Sequence, residues 1–125
     1  MIRAAAAPAL GPDWIDLGPL DDLPENRPVR RTGVGSSAAV PVAAVRRGAR
    51  VDVFVGTCAH LSGPLYEGRV EEVRGHACLV CPWHGSAFDL EHGEPRRGPA
   101  STPQEKLEVR MMAGRVMARL PSRHQ

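Results

Sequence analysis

The chain has 125 residues, enough for one domain with a modest core and little room for a second active site. Hydrophobic residues make up 42% and charged residues 24%, as in ordinary folded proteins, while aromatics at 4% leave the core to Val, Leu, Ala and Met. A net charge of +2 is too small to point to nucleic acid, and no apolar run is long enough for a membrane helix, so a soluble cytoplasmic protein is expected.

Residues 1–12 are rich in Ala, Pro and Gly and read as a disordered tail; the Ala run, broken by Pro8, is too weak for a signal peptide. Structure is expected from Trp14-Ile15-Asp16-Leu17, followed over 18–28 by a loop with three prolines and three acids. Arg27 to Val34 is a possible strand, closed by Gly33 and Gly35. Ala38 to Val45 reads A-A-V-P-V-A-A-V, an apolar strand that Pro41 demotes to an edge or a bulge. After a turn at Gly48-Ala49-Arg50, Val51 to Val55 alternates and completes a hairpin. Arg69–Val73 and His76–Val80 make a second hairpin about Arg74-Gly75. Leu107–Met112 and Val116–Leu120 make a third about Ala113-Gly114. The stretch 93–103 reads as a loop and 121–125 as a tail. Short strands, Gly/Pro turns and no periodic segment of helix length predict an all-β fold.

Three cysteines, an odd count, argue against a disulfide framework, and their closeness to histidines favours metal ligation. Cys58-Ala59-His60 follows one predicted strand and Cys81-Pro82-Trp83-His84 another. Gly63 and Gly85 let each loop turn tightly, so two loops with one Cys and one His each can converge on one centre. Thiolates hold ferric iron strongly, and neutral imidazoles reduce the negative charge and ease electron uptake. On ligand types alone a Cys₂His₂ zinc site is also permitted. Cys78 reads as a small buried strand residue rather than a dithiol partner of Cys81. His76 and His92 read as exposed, and Met111, Met112 and Met117 as core.

The boxes C-A-H-L-S-G-P-L (58–65) and C-P-W-H-G-S-A-F-D-L (81–90), with twenty residues between His60 and Cys81, resemble the Rieske family. The likeness extends to the Trp14-led opening and to Gly98-Pro99-Ala100, which is similar to the family's third, proline-bearing loop beside the cluster. It implies an antiparallel β-sandwich over residues 13–120 with a small cluster-binding subdomain at about 57–87. It implies one [2Fe–2S] cluster, with Cys58 and Cys81 on one iron and His60 and His84 on the other, the outer imidazole nitrogens forming the electron face. Leu61, Pro64 and Leu65 would shield the cluster from water, and Trp83 would shield it or meet a partner. Gly63 and Trp83 stand where high-potential members carry a disulfide pair. Phe88 stands where they carry a tyrosine that bonds a ligand sulfur, and Ser86 matches a serine that donates to a bridging sulfide. One donor lost and one kept place the potential in the lower part of the roughly −150 to +300 mV Rieske range.

The implied role is a ferredoxin, an electron carrier and not an enzyme, between a flavin-dependent reductase and an oxygenase or another acceptor. The residues beyond the last box leave no room for a mononuclear-iron oxygenase domain. Two alternatives stand beside it: a small subunit of a larger oxidoreductase, resembling that of nitrite reductase, and a structural zinc module.

Overall fold

The computed structural model describes residues 14–32 and 41–120; the two predicted tails lie outside them. Among the described residues, ten strands form three antiparallel sheets. The first sheet orders β1 (Ile15–Pro19), β10 (Arg115–Arg119) and β9 (Glu108–Met112). The second orders β2 (Pro28–Arg31), β3 (Val42–Arg47) and β4 (Arg50–Val55). The third runs in sequence through β5 (Arg69–Val73), β6 (His76–Val80), β7 (Ala87–Asp89) and β8 (Pro95–Arg97). The two predicted turns Arg74-Gly75 and Ala113-Gly114 close hairpins with φ positive at both residues, the geometry whose twist suits adjoining strands.

The second sheet is the middle layer. Val42 and Ala44 of β3 pack with Ile15, Leu17, Val53, Leu107, Val116 and Ala118, which is the core shared with the first sheet. Their neighbours Ala43 and Val45 face the other way, into a core with Phe54, Leu65, Leu79, Phe88, Leu90 and Ala100. Alternate residues of a strand point to opposite faces, so a strand with both faces covered must be apolar throughout. That explains the unbroken apolar run and corrects the expectation of an edge strand. β3 pairs on both sides, and Pro41 lies just before it, where its carbonyl accepts a bond from Gly56 N–H.

Other boundaries differ locally. Residues 18–28, read as a loop, include the end of β1, a 3₁₀ turn at Leu20–Asp22 and the start of β2. The stretch 93–103, also read as a loop, contains β8. β7 and β8 have three residues each, too short to display a strand period. His76 opens β6 and is half-buried, not exposed. Met117 is core, whereas Met111 is exposed on the edge strand β9.

Candidate metal centre

Both boxes are built on the same backbone scheme. The first Cys donates its N–H to the carbonyl five residues on: Cys58 to Gly63 at 2.8 Å, Cys81 to Ser86 at 2.9 Å. Its own carbonyl accepts from the amide four residues on: Ser62 at 2.8 Å, Gly85 at 3.1 Å. That fourth position lies in the left-handed region in each loop, φ 62° at Ser62 and 81° at Gly85. Gly85 thus serves the turn as expected, but Gly63 does not; Ser62 bends the first loop. Gly63 is required for a different reason. A Cβ there would sit 2.9 Å from the Cys81 sulfur and 3.0 Å from the Trp83 ring, so only glycine leaves the space.

These matching turns bring the four predicted ligand residues together. Cys58 and Cys81 are buried in the second core, and their thiols are in hydrogen-bonding contact. Burial first, and then the Cys58 thiol, push the Cys81 thiol above its ordinary value, against a bond from the Trp83 backbone N–H. His60 is half-buried and His84 exposed, their ring centroids 5.6 Å apart and nearly perpendicular. The donors are therefore sorted into an inner sulfur pair and an outer imidazole pair. Among the described residues, no three His, Cys, Asp or Glu side chains gather as the ligands of one ion.

The surrounding expectations divide. Leu65 is buried and Pro64 bridges Thr57 at the neck of the first loop. Leu61 is 57% exposed, so it covers no interior. Trp83 lies against Gly63 yet stays 52% exposed. Phe88 is buried in β7, pairing with Leu79 of β6 and packed in the core that holds both Cys58 and Cys81. Ser86 is buried, and its Oγ accepts from Ala100 N–H at 3.0 Å. The loop bearing exposed Pro99 is tied in this way to the second box. Cys78 is buried and packs with Val73, Val80 and Ala87, away from Cys81; all three cysteines are free. His92 is exposed in the turn after β7, its backbone N–H bonding the Asp89 carboxylate.

Sequence reasoning missed two contributors. Arg97 of β8 donates through Nε to the Gly85 carbonyl at 3.0 Å. Gln104, 3% exposed, reaches the first box with all of its carboxamide, accepting from Ala59 N–H and donating to Val55 and Thr57 carbonyls. A buried glutamine beyond a Pro/Gly loop carries no motif. The faint signal was a polar residue close before the apolar Leu107.

The donor set fits a two-iron cluster: a glycine-cleared cradle at the sulfurs, two thiols together and two imidazoles together. A family profile for the Rieske [2Fe-2S] domain matches residues 13–113. A human Rieske domain-containing protein is 46% identical over 37 residues, which is 30% of this chain and only 24% of that protein. Ferredoxin CarAc of Metapseudomonas resinovorans is 29% identical over 103 residues, covering 82% of this chain and 90% of CarAc. A solved complex of reduced oxygenase and oxidized ferredoxin in carbazole 1,9a-dioxygenase contains a chain superposing with TM-score 0.75 at 26% identity, over 92% of this chain and all of that one.

Proposed function

This chain belongs to the Rieske [2Fe–2S] domain family, and from that premise we propose that Cys58, His60, Cys81 and His84 hold its cluster, within a cluster-binding subdomain at about residues 57–87. The protein is a ferredoxin-type electron carrier and not an enzyme, a component of an oxygenase system. When bound, the [2Fe–2S] cluster supplies one-electron chemistry. The observation that carries the ligand assignment is the sorting of the donors into a buried thiol pair and a surface imidazole pair. Two bridged irons take two donors each, whereas a zinc ion would gather all four around one point.

Cys58 and Cys81 would keep the charged thiolates away from water, and the imidazoles of His60 and His84 would offer the electron a short path to a partner. Leu61 and Trp83 flank that pair and are the most exposed large apolar side chains among the described residues. They would form the apolar centre of the oxygenase docking face. Phe88 offers no hydroxyl to a sulfur, which supports a potential in the lower part of the roughly −150 to +300 mV range. A flavin-dependent reductase as electron source and a cytoplasmic location complete the reading. Three free cysteines accord with a reducing compartment. No helix among the described residues is long and apolar enough to cross a membrane.

The deciding experiment is EPR of the dithionite-reduced protein, with iron, acid-labile sulfide and zinc counts. About two irons and two sulfides per chain are expected; one zinc and a silent spectrum would sink the assignment. His84→Cys should lower the midpoint potential toward the roughly −400 mV of all-cysteine plant-type ferredoxins. Trp83→Ala should weaken oxygenase binding about tenfold or more with the EPR signal unchanged. Co-purification with a large catalytic subunit would favour the small-subunit alternative.

A further inference from the structure

We propose that Gln104 is the positioning residue of the first ligand box, its carboxamide standing in for the strand that this box lacks. The proposal rests on the ligand assignment above.

Segment 104–107 runs beside β4. Leu107 N–H bonds Val53 carbonyl at 2.8 Å, Val55 N–H bonds Glu105 carbonyl at 3.0 Å, and Phe54 and Lys106 form an antiparallel bridge between them. The backbone pairing with segment 104–107 stops at Val55, three residues short of Cys58. From there the Gln104 side chain takes over. Its Nε2 donates to Val55 carbonyl at 2.9 Å and to Thr57 carbonyl at 2.8 Å, and its Oε1 accepts from Ala59 N–H at 2.7 Å. An amide side chain has the donors and acceptor of a peptide unit, so it can extend a ladder where no backbone is available. Both Nε2 protons are used, and the contacts bracket Cys58 and end on the residue between Cys58 and His60.

Gln104 is itself held. Its N–H donates to Gly93 carbonyl at 2.8 Å, and its carbonyl packs so closely on Gly93 that no Cβ would fit there. Gly93 N–H in turn bonds the Asp89 carbonyl of β7 at 2.9 Å. A continuous tie thus runs from the strand that supports the second box, through Gly93 and Gln104, to the backbone of the first. Ligand side chains on a loop need their backbone fixed by such outer partners, whose removal typically costs 10–100-fold in metal affinity.

The test uses holoprotein with wild-type, Gln104→Leu, Gln104→Glu and Val116→Ala. Leucine removes all three bonds at similar volume. Glutamate, which burial would hold in its neutral acid form, keeps an acceptor for Ala59 N–H and one of the two donations. Val116 lies in the other core, away from the boxes, so its variant reports loss of stability alone. Gln104→Leu should release iron to a chelator about 10–100-fold faster than wild-type, with a shifted or broadened reduced EPR signal. Gln104→Glu should fall between, and Val116→Ala should leave both readouts at wild-type values. Release and EPR at wild-type values in Gln104→Leu would overturn the proposal. So would equal changes in Val116→Ala at a matched loss of Tm. If Gln104→Leu yields no folded holoprotein, Gln104→Glu decides, and wild-type behaviour there overturns it. Iron and sulfide counts on the wild-type report the ligand assignment independently of these ratios.

Discussion

The turns of the two proposed ligand boxes, at 58–63 and 81–86, are alike, but their foundations are not. The second closes a ladder in which Val80, Leu79 and Cys78 of β6 pair with Ala87, Phe88 and Asp89 of β7, and Arg97 of β8 adds a bond to its Gly85 carbonyl. The first follows β4 and is answered by single contacts, Gly56 N–H on the Pro41 carbonyl, Leu65 N–H on the Gly56 carbonyl, the Thr57–Pro64 bridge and a 3₁₀ turn at Leu65–Glu67. Side-chain chemistry from Gln104 replaces the missing ladder. The same turn can therefore rest on repeated backbone pairing or on one buried amide.

Gly63 and Gly85 separate the turn from the cradle, and the largest effect is expected at Gly63. Gly63→Ala drives a methyl into the Cys81 sulfur and the Trp83 ring; the overlap of about 1–3 kcal/mol falls on the sulfur pair. Iron per chain should drop by more than half while far-ultraviolet circular dichroism keeps its β signature. Full iron content in this variant would mean that the two boxes do not approach as described.

Asp89 lies where the two supports meet. Burial alone would raise its pKa, but the His92 amide, the Arg96 guanidinium and the Gly93 amide outweigh it and hold the carboxyl below its usual range. A folded-state pKa below the unfolded value means the carboxylate contributes stability above about pH 4 and loses it as pH falls through the lowered folded value. Asp89→Asn should cost about 1.5–3 kcal/mol at neutral pH and flatten the acid limb of the stability curve. Because Gly93 and Gln104 hang from the same turn, hydrogen exchange should quicken at both Cys58 and Cys81 amides. Faster exchange at Cys81 alone would leave the first box independent of the second.

The convergence of the two boxes, the hairpin turns and the all-β class were legible because each is written in residue type and spacing. The proposed ligands Cys58, His60, Cys81 and His84 stand out by their boxes, and Arg74-Gly75 and Ala113-Gly114 are turn chemistry. β3 was misplaced at an edge because a proline next to a strand looks, in one dimension, like a proline inside it. Its two buried faces depend on residues distant in sequence, Ile15, Leu17, Leu107 and Val116 on one side and Leu65, Leu79 and Phe88 on the other. Gln104 was invisible because its partners are backbone atoms, which carry no identity in the sequence. Gly63 was misread because a glycine was credited with bending the chain when its task was to leave space, and Ser62 makes the bend.

The smallest expected effects bear on the bend itself. Gly85 and Ser62 hold the same left-handed position, one with and one without a side chain. No heavy atom lies within 4 Å of a Cβ at Gly85, so Gly85→Ala meets only the backbone penalty. That penalty is about 1–2 kcal/mol, partly offset by the stiffer unfolded chain, leaving a net loss of about 1 kcal/mol. Ser62→Gly runs the exchange in reverse. It relieves the same penalty and gives back unfolded-state entropy, so thermal unfolding should find it stabilised by a few tenths of a kcal/mol, at about 0.5. Opposite signs at the two positions, with iron content unchanged in both, are what a repeated turn demands. A loss at Ser62 as large as that at Gly85 would mean that the serine has a role beyond the bend and that the boxes are alike in outline only.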